Sequence, residues 1–373
     1  MEYRIMSMIL DGSNGVTFND ASLQGAAASP YVLKNRIING AMVIDQRNAG
    51  ASITPASGGG YSLDRWQYVF SQSSKFNIQQ NAGSVTPPVG FKNYLGLTVA
   101  AAVTIGSSDY FYIGQKVEGF NAADLGWGTA SAKTVTLSFQ VYSSLTGTFG
   151  GSFTNADNSR SYPFTYTISS ANTWTTISVT VAGDTSGTWL TTNGIGISVI
   201  FGLGLGSTYS GTAGAWATAD YRSATGATSV VGTSGATFYI TGVQLEQNTS
   251  ATPFERRLYG QELINCQRYY EQTYDYGTVA GATTSNGCVF NYVGVATTSG
   301  GDNIRFTVQK RAAPTVTAYA TTAGTINAVY LRSQSTTAAT TVDIIGFNGA
   351  RNSYSQSSGV INTSYHWVAS AEL

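Results

Sequence analysis

From Lys133 to Val141 the chain reads K-T-V-T-L-S-F-Q-V. Val135, Leu137, Phe139 and Val141 share one parity, and Thr, Ser and Gln take the other. A period of two predicts a half-buried antiparallel strand. Trp174 to Val181, Ile195 to Ile200 and Thr237 to Val243 repeat the pattern. Clusters rich in Gly, Asn and Ser separate them and read as turns: Gly147 to Gly151, Asn155 to Ser161, Gly183 to Gly187 and Gly202 to Gly214. Alternation resumes after residue 276, at Gly287 to Val295, Ile304 to Val308, Pro314 to Ala320, Ile326 to Leu331 and Thr341 to Gly346. Many short strands at this spacing predict a sandwich or jelly roll.

One segment changes period. Between Gln261 and Tyr274, Leu263, Cys266, Tyr270 and Tyr274 are spaced three, four and four, one face of a helix. Glu262 lies in its first turn, where the helix dipole favours an acid. The stripe is narrow enough for a seam, which leaves Gln261, Glu262, Gln267, Arg268, Glu271 and Gln272 facing water. Thr252 to Glu255 fits a capping box, but an extended exit from the preceding strand is the preferred reading. The organisation is then 1–35 as an N-terminal segment, 36–258 as the sandwich, 259–275 as a helical linker and 276–373 as a smaller β-domain. The fold class is all-β: an antiparallel jelly-roll sandwich, a short helix and a C-terminal β-domain.

Composition narrows the class. Charged residues are 10% of the 373, against about 25% in an ordinary domain. No apolar run is long enough for a membrane span, so membrane insertion is not expected. A supply of 42% hydrophobic and 12% aromatic residues is enough for a core, unlike that of a disordered chain. The formal net charge is zero, from 19 basic and 19 acidic residues. Nucleic acid, bound through phosphate neutralisation, is therefore not an expected partner. The start carries Glu2 and Arg4 and no secretion-signal pattern. Cys266 and Cys288 read as free thiols, since two cysteines make no disulfide framework.

Catalytic chemistry finds little support. The single histidine, His366, lies beside Trp367 near the end of the sequence, with no nucleophile elbow anywhere. It reads as a structural or surface residue. One His and two distant Cys make no zinc site of the usual ligands. Gly202 to Gly206 is glycine-rich but lacks the phosphate-cradle spacing and reads as a loop between strands. Twelve Asp and seven Glu are spread thinly, with no local pair of the kind a glycosidase needs. Asn155, Asp157 and Asn158 could ligate calcium, but ordinary turn residues are the first reading. No catalytic residue, metal or cofactor is expected, and the chain is expected not to be an enzyme.

The aromatics carry more information. Tyr and Trp offer flat apolar area with a polar handle, which suits sugar rings and protein interfaces alike. The candidates for ligand contact are Trp127, Tyr142, Trp189 and Trp216. Core packing is the first reading for each of the three Trp, and Trp127, in D-L-G-W-G, is the best placed for exposure. Asp64-Arg65-Trp66 reads as an ion pair beside a buried indole that anchors the sandwich.

Several stretches are similar to a β-domain widespread in tailed-bacteriophage fibre proteins. They are Asn35-Arg36-Ile37-Ile38-Asn39-Gly40 through Asp45-Gln46-Arg47, Tyr61 to Trp66, Gly114-Gln115-Lys116-Val117-Glu118-Gly119 and Thr136 to Phe139. Ile240 to Glu246, Ala251 to Glu255 and Cys266 to Tyr270 add to them. Asp11 to Asp20 resembles the attachment segment found early in such fibres, and 276–373 resembles their closing domain more loosely. At Gln140 and Tyr142 this chain has S-F-Q-V-Y where related proteins show an aromatic and then a basic residue.

The resemblance implies a virion structural protein, assembled in the host cytoplasm, with a jelly roll similar to carbohydrate-binding modules. It implies a homotrimer attached by its N-terminus to other tail or capsid proteins. Ile9, Val16, Phe18 and Leu23 would find burial in threefold packing. The expected function is a tail fibre that binds host polysaccharide or an outer-membrane receptor. A capsid decoration or head-fibre protein is the first alternative. A polysaccharide-cleaving tailspike is the second.

Overall fold

The computed structural model describes residues 34–296, 298–355 and 360–373, and the backbone of three short N-terminal strands. Those strands, β1 (Ile9–Asp11), β2 (Gly15–Thr17) and β3 (Leu23–Gln24), pair antiparallel in the order β1-β2-β3. Residues 1–34 form a unit of their own. Phe18, the side chains of Ile9, Val16 and Leu23, and most of the attachment segment lie outside the described residues. Residues 35–373 are one compact unit.

The sandwich divides its main strands between two sheets. Its strands are β4 (Gly58–Leu63), β5 (Trp66–Phe70), β6 (Phe76–Gln80), β7 (Leu95–Val99), β8 (Tyr110–Glu118), β9 (Val135–Ser143) and β10 (Gly147–Thr154). They continue with β11 (Ser161–Ile168), β12 (Thr175–Val181), β13 (Ile195–Leu205), β14 (Ser210–Gly211), β15 (Ser223–Ala224) and β16 (Thr237–Glu246). One sheet runs β11-β10-β13-β8-β5-β4 and the other β12-β9-β16-β7-β6. The inward parity of both sheets meets in one core that includes Trp66, Phe70, Phe111, Phe139, Phe149 and Phe201. Phe139 meets Phe201 edge-on at 5.0 Å across the layers. Full burial of each such ring contributes roughly 1.5–3 kcal/mol.

The first motif seals one end of this core. Asn35 accepts the N–H groups of Ile37 and Leu245 and donates to the Val243 carbonyl. Asn39 donates to the carbonyls of Ile44 and Asp64, and its own carbonyl accepts the Trp66 indole N–H at 3.0 Å. Gln115 closes the clasp, accepting from the Ile38 N–H and donating to the Ile38 carbonyl.

One glycine cluster expected as a turn is strand, and the expected turn at Gly202 to Gly214 begins as strand. Gly147 to Gly151 lies in β10, and Gly202 to Leu205 continues β13. One glycine of each packs closely against Ser223. A Cβ at Gly150 would stand 2.3 Å from the Ser223 Oγ, and one at Gly202 would stand 2.8 Å from it. Gly204, at φ +151°, marks a bulge in the pairing with β8.

Helix α1 (Tyr259–Gln267) follows, then β17 (Tyr270–Gln272), β18 (Val289–Ala296), β19 (Ser299–Arg305), β20 (Thr315–Ala320), β21 (Ala328–Leu331), β22 (Thr336–Asp343), β23 (Gly349–Ser355) and β24 (Val360–Ser370). Strand β24 pairs with β17, β18, β20 and β21. Its Tyr365, Trp367 and Ala369 pack with Val329, Leu331 and Tyr354 in a second core.

The helical linker expected over 259–275 is corrected: the helix ends at Gln267 and the chain is extended by Tyr270. The three-four spacing persists past the helix, but the backbone of Tyr270–Gln272 is bound to Val368–Ser370 of β24. Glu262 and Glu271, expected in water, are buried. Glu271 forms an ion pair with the equally buried Lys310. Thr252 to Glu255 is not helical, so the capping-box reading does not hold.

The Asp64-Arg65-Trp66 expectation needs one correction. All three are buried, but Arg65 pairs with Glu372 rather than Asp64. The Asp64 carboxylate instead accepts the main-chain and side-chain N–H groups of Gln46, both at 2.7 Å. Cys266 and Cys288 are free thiols. No described helix is long and apolar enough to cross a membrane.

Candidate functional site

Alternation on β9 and β16 sends Phe139, Val141, Phe238 and Ile240 inward, which turns Tyr142 and Tyr239 outward. The two tyrosines are direct partners in the register of the pair. Their rings stack nearly parallel, with centroids 5.3 Å apart and 6° between planes. Tyr94 also stacks on Tyr239, at 5.1 Å. Trp174, just before β12, lies 5.5 Å from both Tyr94 and Tyr142. The sequence offered the outward parity of Tyr142 and Tyr239 as a signal. Their pairing, and the addition of Trp174 and Tyr94, comes from strand register and loop placement.

Tyr94 and Tyr239 are buried, whereas Tyr142 and Trp174 are half-buried and present ring surface to solvent. The cluster is rigidly held. The Tyr94 hydroxyl donates to the Ala82 carbonyl at 2.6 Å and accepts the Val85 N–H at 2.8 Å. The Trp174 indole N–H donates to the Thr86 carbonyl at 2.9 Å. Gly96 leaves room for Tyr239, since a Cβ there would stand 3.0 Å from the ring.

Around the rings the face is neutral. Gln140 and Thr176 exchange hydrogen bonds at 2.8 and 3.1 Å. Thr98, Asn77 and Ser178 complete the outward positions nearby, without a charge among them. Two exposed aromatic surfaces beside uncharged donors and acceptors can stack on an apolar ring face and bond its hydroxyls.

The structure separates Tyr142 from the other three candidates. Trp127, Trp189 and Trp216 form a cluster of their own, edge to face at 4.8, 5.3 and 5.4 Å. Their indole N–H groups donate to the carbonyls of Lys133, Ser186 and Ala182. Trp127 takes the core packing that is its first reading and not the exposure its ligand candidacy needs: it is 6% exposed and rests on Phe153. Its loop folds back as a lid over one end of the core, helped by the Arg160–Asp184 ion pair. Trp216 is half-buried against Tyr162.

Catalytic and metal chemistry finds no cluster here. The described residues contain no group of three or more His, Cys, Asp and Glu that could hold a metal ion. Asn155 and Asp157 accept hydrogen bonds from Arg160 and Ser159 within their own turn. His366 is buried, with its ring 3.9 Å from that of Tyr274.

No protein-family profile matches the sequence, and no curated protein matches it. Among solved structures, the enzymatically active domain of tailspike protein 4 from bacteriophage CBA120 is 13% identical at a TM-score of 0.33. That alignment covers 60% of this chain and 22% of the tailspike, so the chain spans about a fifth of that protein. A family 11 carbohydrate-binding module from Clostridium thermocellum, in complex with a mixed-linked tetrasaccharide, is 14% identical at a TM-score of 0.28, covering 53% of this chain and all of the module. A family 61 module in complex with β-1,4-galactotriose is 10% identical at 0.30, covering 58% of this chain and all of the module. Scores this low decide nothing about the ligand or role of the present chain, whose all-β class rests on its own sheets.

Proposed function

We propose that this chain is a tail fibre or receptor-binding protein of a tailed bacteriophage that binds an uncharged host-surface glycan on its five-stranded sheet. The observation that carries the binding reading is the Tyr142–Tyr239 stack with Trp174 beside it on an uncharged strand face. Tyr142 and Trp174 would cover the apolar faces of sugar rings, and Gln140 and Thr176 would meet their hydroxyls. Binding would show little salt dependence, because no described residue named beside the rings is charged. The phage reading is supported by the motifs at Asn35–Gly40, Gly114–Gly119 and Ile240–Glu246. The N-terminal unit would attach the protein to the virion, and a homotrimer would present three faces and raise a weak affinity. The role proposed is adhesion and not cleavage.

The test is adsorption. Purified protein at saturating concentration is expected to block attachment of the phage to its host. Trp174→Ala and Tyr142→Ala are expected to weaken the block about tenfold or more with the fold intact. Failure of the wild-type protein to block would favour a decoration role. Release of reducing ends from host polysaccharide would make it an enzyme.

A further inference from the structure

The opposite face of the sandwich carries a groove of about 380 Å³. It spans four neighbouring strands, from Gly59 on β4 through Gln67 and Val69 on β5 to β8 and β13. Its floor is low because Gly114 stands between Gln67 and Ile200 in the sheet register. That glycine is required: a Cβ there would lie 2.3 Å from the Val199 carbonyl oxygen. Tyr112 and Lys116 flank it on the same face of β8, four residues apart and so separated by about 13 Å. The groove is longer than a single hexose ring.

Its chemistry differs from that of the Tyr142 face. Two cations line it, Lys116 and Arg222, and no carboxylate does. Arg222 is already engaged. Its Nε and Nη2 donate to the Asp220 carboxylate at 2.9 and 2.7 Å, and its guanidinium lies over the Tyr110, Tyr112 and Tyr209 rings. Its task is to hold Tyr112 as a fixed aromatic wall. Lys116 donates to the Leu373 carbonyl oxygen at 2.9 Å and retains further N–H groups. Burial and the neighbouring Arg65 charge lower its pKa against the opposing Glu372 carboxylate, and a further anion alongside would offset that cost. The Gln67 carboxamide has no partner among the described residues, and the Ser198 hydroxyl also lies in the lining.

We propose that this groove is a second saccharide site, selective for an acidic oligosaccharide built of uronate residues. One carboxylate pairs with Lys116, sugar hydroxyls bond Gln67 and Ser198, and a ring face rests on Tyr112. Lys116, the cation of the lining outside the described ion pairs, matches one negative charge per sugar, and not a dianionic phosphate. The site is separate from the proposed neutral-glycan face and stands whether or not that reading holds.

Calorimetric titration with tetramannuronate, tetragalacturonate and cellotetraose, at low and at high ionic strength, tests it. The intact chain is expected to bind at least one tetrauronate, more weakly as salt rises. Lys116→Gln is expected to weaken that binding about tenfold or more, because a charge-assisted bond is lost. Gln67→Ala removes an amide with no internal partner, so it should fold normally and weaken binding several-fold. Trp174→Ala should leave uronate binding unchanged. Absence of uronate binding, wild-type affinity in both groove variants, or loss of uronate binding in Trp174→Ala would each overturn the proposal. Failure of the neutral-glycan reading shows separately, as phage adsorption blocked equally well by Trp174→Ala.

Discussion

The Arg65 guanidinium lies 3.6 Å from the centre of the Tyr269 ring. Arg65 belongs to the sandwich, and Tyr269 sits between helix α1 and the C-terminal sheet. Glu372 pairs with the same guanidinium and also with Arg47. The Tyr269 hydroxyl donates to Glu118 at 2.6 Å, and Arg268 grips that carboxylate at 2.6 and 2.8 Å. The sandwich and C-terminal sheet are thus joined by a buried ionic and aromatic seam.

That seam makes Arg65 a stability residue. Arg65→Met would remove one of the two cations facing Glu372 and is expected to cost about 3 kcal/mol, since a buried carboxylate loses a partner. The double change Arg65→Met with Glu372→Gln should recover much of the loss. Urea unfolding of the wild type and the two variants measures both, and equal stability of the single and double variants would refute it.

Asp64 should make stability depend on pH. Burial raises its pKa from 3.8 to about 6, against the opposing Arg47 charge and Gln46 hydrogen bonds. The folded state therefore binds the proton more tightly than the unfolded chain. The stability Asp64 contributes is fully present below its unfolded pKa and is lost as pH rises through about 6. The size is about 3 kcal/mol, two pH units' worth. Unfolding near pH 5 and near pH 7.5 should show wild type falling relative to Asp64→Asn. Parallel curves would contradict this.

His366 acts with the opposite sign. Its Nε2 meets the Thr284 carbonyl at 3.2 Å and its Nδ1 the Thr273 hydroxyl at 3.0 Å. A neutral ring with the proton on Nε2 satisfies both partners. Burial pushes its pKa below the ordinary histidine value. Its contribution is complete above the unfolded value and is lost as pH falls from there through the lower folded value, because the unfolded chain takes up a proton more readily. Nitrogen NMR of the ring near pH 6 should show the neutral Nε2–H form, and an imidazolium signal there would be incompatible.

Trp127→Ala should unfold before it unbinds. The indole is buried against Trp189, Trp216 and Phe153, so truncation is expected to cost about 3–5 kcal/mol. Thermal unfolding reads the loss directly. A stable variant with reduced attachment to host cells would return Trp127 to the binding surface.

Alternation along the chain determined the strands and their inward faces, because side-chain parity is a local property. Val135 to Val141 and Phe238 to Ile240 point inward as their pattern requires, and that parity alone turned Tyr142 and Tyr239 outward. Local pattern also misled where two structures share one spacing. Leu263 to Tyr274 keeps helical periodicity, yet pairing with β24 draws Tyr270–Gln272 into a sheet. The glycines at 147–151 and 202–204 resemble turns, yet they lie within strands, where Gly150 and Gly202 pack closely against Ser223. The Tyr142–Tyr239 stack, the groove over Gly114 and the clamp of Glu372 on Arg65, 307 residues away in sequence, depend on which strands become neighbours. That choice is made by long-range pairing and the joint burial of two sheets, and no single stretch of sequence contains it.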